Sequence, residues 1–190
     1  IKVIGVEPAG AACMKASLEK GEVVTLPHVN TIADGTAVQT PGSHIFPYIQ
    51  ENLDEIITVE DDELIVAFLD MVENHKMIVE NSGLLTVAAL RHLDFKNKKV
   101  VSILSGGNMD VITMSSVVQH GLIQRDRIFT VSVLIPDKPG ELVRVASIIA
   151  ENQGNVIKLD HNQFVSTNRN AAVELKITLE AFGTDHKNQI

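Results

Sequence analysis

One short segment, residues 100–108, limits the folds open to this chain more than any other. It is an apolar, strand-like run that ends in Ser105, Gly106, Gly107 and Asn108, and helix-like sequence follows it. Strands that end in such a turn at the start of a helix are typical of α/β proteins, which hold anionic or heteroaromatic ligands there. The glycines let a ligand approach the backbone, and Ser105 offers one neutral hydroxyl. The alternative is a turn serine that caps the next helix, a role that Asn108 could also fill.

The sequence before residue 127 alternates between strand-like and helix-like segments. Thr58 is expected to cap a helix, with Asp61 at the second position of a capping box. Gly21 and Gly121 are expected to end two other helices. This alternation predicts an α/β fold with an open, mainly parallel sheet and helices on both faces. The expected strands cover 2–6, 56–59 and 98–104, and the expected helices cover 9–20, 43–53, 60–75, 83–92 and 109–120.

The pattern changes after the charged stretch 124–127. A strand with period-two alternation is expected first, then a helix with one apolar face, two more strands and the start of a second helix. This order is most of a ferredoxin-like α+β unit, without most of its second helix and its last strand. The sequence therefore predicts two domains, 1–126 and 127–190, in a piece of a longer protein. The expected elements of the second domain cover 129–135, 141–152, 156–164, 171–182 and 185–190.

Composition excludes several classes of function. The formal net charge is −8, so no basic surplus is available for a nucleic-acid partner. No apolar run approaches the roughly 20 residues that span a bilayer, so no membrane association is expected. The only cysteine, Cys13, rules out an internal disulfide and suits a reducing cytoplasm.

Two acids stand at the ends of strand-like runs. Glu7 precedes Pro8 at the expected carboxyl edge of the sheet, where carboxylates bind metals or substrates or are simply solvated. Glu80 ends an apolar run, so it either lines a pocket or lies favourably near a helix N-terminus. The seven histidines have no zinc-type spacing.

A further candidate site lies in the second domain. The strand-to-helix loop is expected to lie near the start of the following strand, where free amides at the helix start would hold a carboxylate. The alternative is a Pro-Gly turn without a ligand. The candidate residues are Gly140, Glu141, Leu142, Asn155 and Val156.

Four segments occur in an order that resembles a known family: residues 3–8, 31–35, 79–83 and 104–108. They resemble the fold-type II, tryptophan-synthase-β-like pyridoxal-phosphate family, in particular its threonine dehydratases, or threonine ammonia-lyases. The resemblance covers essentially the whole chain. Residues 127–190 resemble an ACT domain, the ferredoxin-like module that senses amino acids.

The resemblance implies roles for the residues at the turn. Ser105 would face the pyridine nitrogen of pyridoxal 5′-phosphate, and Glu80, Gly106 and Gly107 would lie near the cofactor ring. Asn108, together with Lys76, would match positions that contact nucleotide in nucleotide-activated relatives.

The resemblance also implies a cation site. Glu7 and the carbonyl of Ala11 would match its ligands. Relatives place a further acid where this chain has Cys13, which puts a divalent cation in doubt.

Two motifs of the family are missing from this chain: the Schiff-base lysine motif and the tetraglycine phosphate loop. The parent enzyme would convert L-threonine or serine to a 2-oxo acid and ammonia, and the chain alone is expected to be inactive. Isoleucine or valine is the expected effector, and a homo-oligomer is the expected assembly. The alternative is an amino-acid-binding ACT module on a non-catalytic α/β scaffold.

Overall fold

The computed structural model describes residues 1–161 and 172–190, which form two compact units, Ile1–Val118 and Gln119–Ile190. The predicted fold class is confirmed, because a parallel sheet with helices is followed by an antiparallel sheet. The division falls inside a helix rather than in the charged stretch 124–127. The assignment of 1–126 and 127–190 as functional domains stays a prediction.

The first unit is built on two parallel strands, β1 (Ile4–Pro8) and β2 (Glu55–Val59), with Ile4 opposite Glu55 and Pro8 opposite Val59. Its core is mostly aliphatic and includes two fully buried side chains, Leu64 and Phe68. The helices are α1 (Cys13–Lys20), α2 (Phe46–Asn52), α3 (Asp61–Asp70), α4 (Leu85–Ala88) and α5 (Val111–Gln124).

Two expected helix boundaries are wrong. Thr58 lies inside β2, opposite Glu7, so it cannot cap a helix. Helix α3 begins after Glu60 instead, and the Glu63 carboxylate accepts a hydrogen bond from the Glu60 N–H at 2.9 Å. Gly121 does not end α5, which continues to Gln124; this glycine is buried within the helix.

The prediction of a strand over residues 98–104 is also wrong, although hydrogen bonds hold this segment against Thr86. Thr86 donates its hydroxyl to the Ile103 carbonyl at 3.0 Å, and Ser102 donates its hydroxyl to the Thr86 carbonyl at 3.3 Å. Among the described residues no strand pairs with this segment. A β-rich sequence becomes a strand only when a neighbour completes the ladder.

In the second unit the strand order is β3 (Ile128–Pro136), β5 (Ala172–Glu180) and β4 (Asn155–His161), and neighbouring strands are antiparallel. This order, with the third strand in the centre, agrees with the predicted ferredoxin-like arrangement. The core of the unit includes Leu175, Ile177 and Leu179 of the central strand and Ile149 of a helix. The predicted strands 156–164 and 171–182 fall partly on 162–171, which lie outside the described residues. The elements are β3 (Ile128–Pro136), α6 (Glu141–Glu151), β4 (Asn155–His161), β5 (Ala172–Glu180) and α7 (Thr184–Gln189).

None of the helices in residues 1–161 and 172–190 has both the length and the apolar character needed to cross a bilayer.

Candidate functional site

The turn after residue 104 lies against Glu80. The backbone N–H of Asn108 donates to Glu80 Oε2 at 3.0 Å. Gly106 has a φ of +79°, and a Cβ placed on it would lie 2.3 Å from Glu80 Cδ and Oε1. Only glycine therefore fits here, since a side chain would meet both backbone strain and the carboxylate.

A second close approach, between Gly83 and the Ser105 carbonyl, fixes the backbone of Ser105. A Cβ on Gly83 would lie 1.9 Å from the Ser105 carbonyl oxygen, so the 3-10 turn that begins at Asn81 rests directly on the backbone of Ser105. The Gly83 N–H donates to the Glu80 carbonyl at 2.9 Å. The Ser105 side chain is exposed. The structure thus brings Ser105, Gly106 and Glu80 into one neighbourhood and leaves the Ser105 hydroxyl available to a ligand.

A third segment, the turn around Gly35, closes this neighbourhood. A Cβ on Gly35 would lie 2.9 Å from Ser82 Oγ and 3.6 Å from Glu80 Oε1. Asn81, which is 4% exposed, donates its side-chain amide to the Ile32 carbonyl at 3.0 Å. Gly35, Asn81 and Ser82 were not among the predicted site residues. The signal that could have found them is the polar run 80–82, which interrupts an apolar sequence.

Residues of all three segments border a cleft of about 480 Å³, among them Asp34, Asn81 and Asn108. The predicted cofactor residues 105–107 lie beside this cleft and are not part of its lining. Asp110 lies at its rim, where it caps α5 by accepting hydrogen bonds from the N–H groups of Ile112 and Thr113. Hydrogen bonding from the Thr113 hydroxyl lowers the pKa of Asp110, which keeps this carboxyl ionised. The cleft is lined by Thr31, Ile32, Asp34, Glu80, Asn81, Asn108, Met109, Asp110, Ile112, Thr113, Ser116 and Val117.

Charge sets what this cleft can accept. Its lining contains three carboxylates and no lysine or arginine. Phosphate binding uses basic side chains or free backbone amides, and the first amides of α5 already bond to Asp110. The cleft therefore suits neutral or cationic groups, such as a heteroaromatic ring, rather than a phosphate.

The proposed cation ligand Glu7 has another role in the structure. Its two carboxylate oxygens accept hydrogen bonds from the N–H groups of Met14 and Lys15, each at 2.8 Å, at the start of α1. Burial raises the pKa of Glu7 despite these bonds. Burial, and then the nearby Glu7 charge, raise the pKa of the Cys13 thiol, whose sulfur lies 4.0 Å from Glu7 Oε1.

The cation site at Glu7 and Ala11 stays a prediction. Ala11 is buried beside the start of α1. Over residues 1–161 and 172–190, no group of three or more His, Cys, Asp or Glu side chains could hold a metal.

The predicted nucleotide contacts also remain untested. Asn108 lines the cleft, whereas Lys76 does not. Lys76 adopts a left-handed conformation with φ of 58°, and its ammonium donates to the Glu73 carbonyl.

The five proposed effector residues do not share one pocket within a single chain. Gly140, with φ of +96°, begins α6 just after the end of β3. Asn155 begins β4 opposite Glu180, which on its other side pairs with Ile128 at the start of β3. The length of β3 separates the two groups, roughly 25 Å at about 3.3 Å per residue. The expectation that this loop lies near the start of the next strand is therefore wrong, and effector binding by either group stays a prediction.

Similarity to known proteins extends over the whole chain. Residues 1–106 match the family model of pyridoxal-phosphate dependent enzymes. The L-threonine ammonia-lyases of Geobacter sulfurreducens and Thermotoga maritima are 38% and 33% identical, in each case over 100% of this chain and 48% of the relative. The solved structure of the processed form of threonine deaminase isoform 2 from Solanum lycopersicum is 36% identical, with a TM-score of 0.57, over 62% of this chain and 36% of its own. The chain thus spans about half the length of the curated relatives it matches.

Proposed function

The chain belongs to the pyridoxal-phosphate dependent enzyme family, and from that premise we propose that it forms the ring side of the cofactor pocket of an ammonia-lyase acting on L-threonine or L-serine. The observation that carries this proposal is the close packing of two glycines around Ser105 and Glu80. Gly83 and Gly106 fit where any Cβ would collide with the Ser105 carbonyl or with Glu80. The printed names of the relatives, L-threonine ammonia-lyase and threonine deaminase, support the choice of reaction.

The residues present fit the ring of the cofactor and not its phosphate. The Ser105 hydroxyl is exposed and uncharged, so it would donate a hydrogen bond to an unprotonated pyridine nitrogen. Glu80 stands beside Gly106, within the same neighbourhood. The cleft lining offers no basic group for a phosphate.

When bound, pyridoxal phosphate would supply an electron sink for the net deamination of the amino acid to a 2-oxo acid and ammonia. The chain's own contribution would be to bind and orient. Ser105 would hold the pyridine nitrogen neutral, because a hydroxyl cannot stabilise a pyridinium as a carboxylate does. The 3-10 turn at Asn81–Leu84 would fix Ser105 through its backbone contact with Gly83.

We further propose that this chain alone does not catalyse the reaction. No lysine lines the cleft, and no tetraglycine segment occurs in the sequence. The attachment lysine and the phosphate loop would come from the half of the relatives that this chain does not match.

The second unit is proposed to act as an ACT-like regulatory domain in a cytoplasmic homo-oligomer. Its βαββ order with the third strand central supports this assignment. Isoleucine or valine is the proposed effector. The structure leaves two separate candidate places for it, the start of α6 at Gly140–Leu142 and the start of β4 at Asn155–Val156.

The test uses the full protein that carries this chain, loaded with pyridoxal phosphate. Ser105→Ala should weaken cofactor binding roughly two- to tenfold, the value of one neutral hydrogen bond. Ser105→Asp should shift the absorbance spectrum of the bound cofactor, because a carboxylate would stabilise the protonated form of the pyridine nitrogen. Ser147→Ala, on the exposed surface of α6, is the matched control and should change neither.

Three results would each contradict a part of the proposal. An unchanged spectrum in Ser105→Asp would remove Ser105 from the ring nitrogen. Failure of the full protein to release 2-oxo acid from threonine or serine would favour the regulatory module on a non-catalytic scaffold. Release of 2-oxo acid by the isolated chain would overturn its proposed inactivity.

A further inference from the structure

Asp61, the first residue of α3, binds a loop that is distant in sequence rather than its own helix. The Thr31 hydroxyl donates to Asp61 Oδ1 at 2.5 Å, and the Ile32 N–H donates to Asp61 Oδ2 at 3.0 Å. The N-terminus of α3 has its own capping box, formed by Glu60 and Glu63. Helix α3 therefore does not need the Asp61 carboxylate in order to begin.

The loop that Asp61 binds continues into a tight turn at residues 33–36. The Thr31 oxygen also accepts a hydrogen bond from the Ala33 N–H at 3.1 Å, so one hydroxyl joins Asp61 to the turn. Within the turn, the N–H and the hydroxyl of Thr36 both donate to the Ala33 carbonyl, each at 3.0 Å. Ala33 is completely buried. The path of the turn is thus fixed from Asp61 onward.

The turn at residues 33–36 lies against the segment that carries Glu80. The Asn81 side-chain amide donates to the Ile32 carbonyl at 3.0 Å, in the same residue whose N–H bonds to Asp61. A Cβ on Gly35 would lie 3.6 Å from Glu80 Oε1, so the turn stands directly beside that carboxylate. Movement of the turn would therefore free one side of Glu80.

Glu80 in turn contacts the backbone that follows Ser105. Its Oε2 accepts a hydrogen bond from the Asn108 N–H at 3.0 Å, and its carboxylate occupies the space beside Gly106. Asp61 does not line the cleft. An effect of Asp61 on the candidate site must therefore pass through the loop and Glu80.

We propose that Asp61 is a positioning residue of the candidate cofactor site. It holds residues 31–36 against residues 80–82 and thereby fixes the Glu80 carboxylate beside Gly106. Hydrogen bonds to a carboxylate are stronger than those between neutral groups, so two of them on one loop restrict its movement. The importance of Asp61 for the cofactor rests on the proposed function, in which Glu80 lies near the cofactor ring.

Amide hydrogen exchange, resolved to single residues, tests this role in the full protein without cofactor. In Asp61→Ala, the amides of Ile32 and Ala33 should exchange roughly tenfold faster, the value of one hydrogen bond to a charged group. The Asn108 amide donates to Glu80 and not to Asp61. Its exchange should become about two- to threefold faster, because a less restricted Glu80 allows more frequent local opening.

Two further variants of the same contact refine the test. Asp61→Asn retains an acceptor for the Ile32 N–H and gains a donor for the Thr31 oxygen, so it should restore the wild-type exchange rates. Thr31→Val removes only the hydroxyl. It should speed exchange at Ala33 and Asn108 by a smaller factor than Asp61→Ala does, and it keeps the role testable if Asp61→Ala does not fold.

The matched control lies at the same end of α3. Glu63→Ala removes hydrogen bonds to the Glu60 N–H and to His92, neither of which belongs to the loop or the turn. It should leave the exchange rate of Asn108 unchanged. In the full protein loaded with pyridoxal phosphate, Asp61→Ala should also alter the absorbance spectrum of the cofactor, whereas Glu63→Ala should not.

Three results would overturn the positioning role. The first is faster exchange at Ile32 and Ala33 with an unchanged rate at Asn108, which would limit Asp61 to support of its own loop. The second is unchanged rates at all three amides, and the third is an equal rise at Asn108 in Glu63→Ala. The exchange rates do not depend on the cofactor. Faster exchange at Asn108 with an unaltered spectrum would confirm the positioning of Glu80 and contradict only its place near the cofactor ring.

Discussion

At the scale of single residues, the candidate site depends on where a Cβ cannot be placed. Gly106→Ala puts a side chain at φ of +79° and within 2.3 Å of the Glu80 carboxylate. A non-glycine residue in this conformation costs about 1–3 kcal/mol, and the clash with Glu80 adds to it. We expect Gly106→Ala to lower the free energy of unfolding by more than that conformational cost, as measured by chemical denaturation.

Gly21 provides a matched control for this substitution. It has the same φ of +79°, but nothing lies within 4 Å of an added Cβ. Gly21→Ala therefore reports backbone strain alone. Adding Glu80→Ala to Gly106→Ala should recover the excess loss, since the clash partner is gone. Equal losses in Gly21→Ala and Gly106→Ala would show that the Glu80 contact does not restrict this position.

At the scale of elements, α1 depends on Glu7 for its N-terminus. The Glu7 carboxylate accepts hydrogen bonds from two backbone N–H groups that have no partner within the helix. Glu7→Ala should lower the free energy of unfolding by about 0.5–2 kcal/mol, the usual cost of a lost cap. An unchanged stability would show that α1 needs no cap.

The pH dependence of this contribution follows from the raised pKa of Glu7. The folded state binds the proton more tightly than the unfolded state, so this group's contribution to stability falls as pH rises from the ordinary glutamate pKa to the raised one. The stability of the wild type relative to Glu7→Gln should fall over that interval and level off above it. A difference that grows with pH would contradict the direction of the shift.

Elements with strong internal periodicity could be predicted from sequence, whereas those that depend on a neighbour could not. The alternation in β3 and the apolar face of α6 are local patterns, and both elements lie close to their predicted ranges. Residues 98–104 have a strand's composition, but a ladder needs a second backbone. Thr58 has the chemistry of a cap, yet the register of β2 with β1 places it inside a strand.

At the scale of the whole molecule, the order of the motifs predicted the neighbours in the candidate site better than any single motif did. Residue 80 is about 25 positions from residues 105 and 106 in the sequence, yet the structure brings the three together. The polar run 80–82 marks Asn81 and Ser82, but nothing in the sequence identifies Ile32 and Gly35 as their contacts. They arise because Asp61 holds the loop at Thr31 and Ile32, which places the following turn against Glu80.

Each unit also has its own apolar core. The core around Phe68 contains residues up to Val118 only, and the core around Leu175 contains residues from Phe129 onward. Both side chains are fully buried.

Truncation of a buried Leu or Phe to Ala costs about 2–5 kcal/mol of folding free energy. Leu175→Ala should therefore lower the melting temperature of the second unit, and Phe68→Ala that of the first, each leaving the other transition in place. Calorimetry of the two variants checks this expectation, and a single transition that both variants shift equally would show that the two cores fold as one unit.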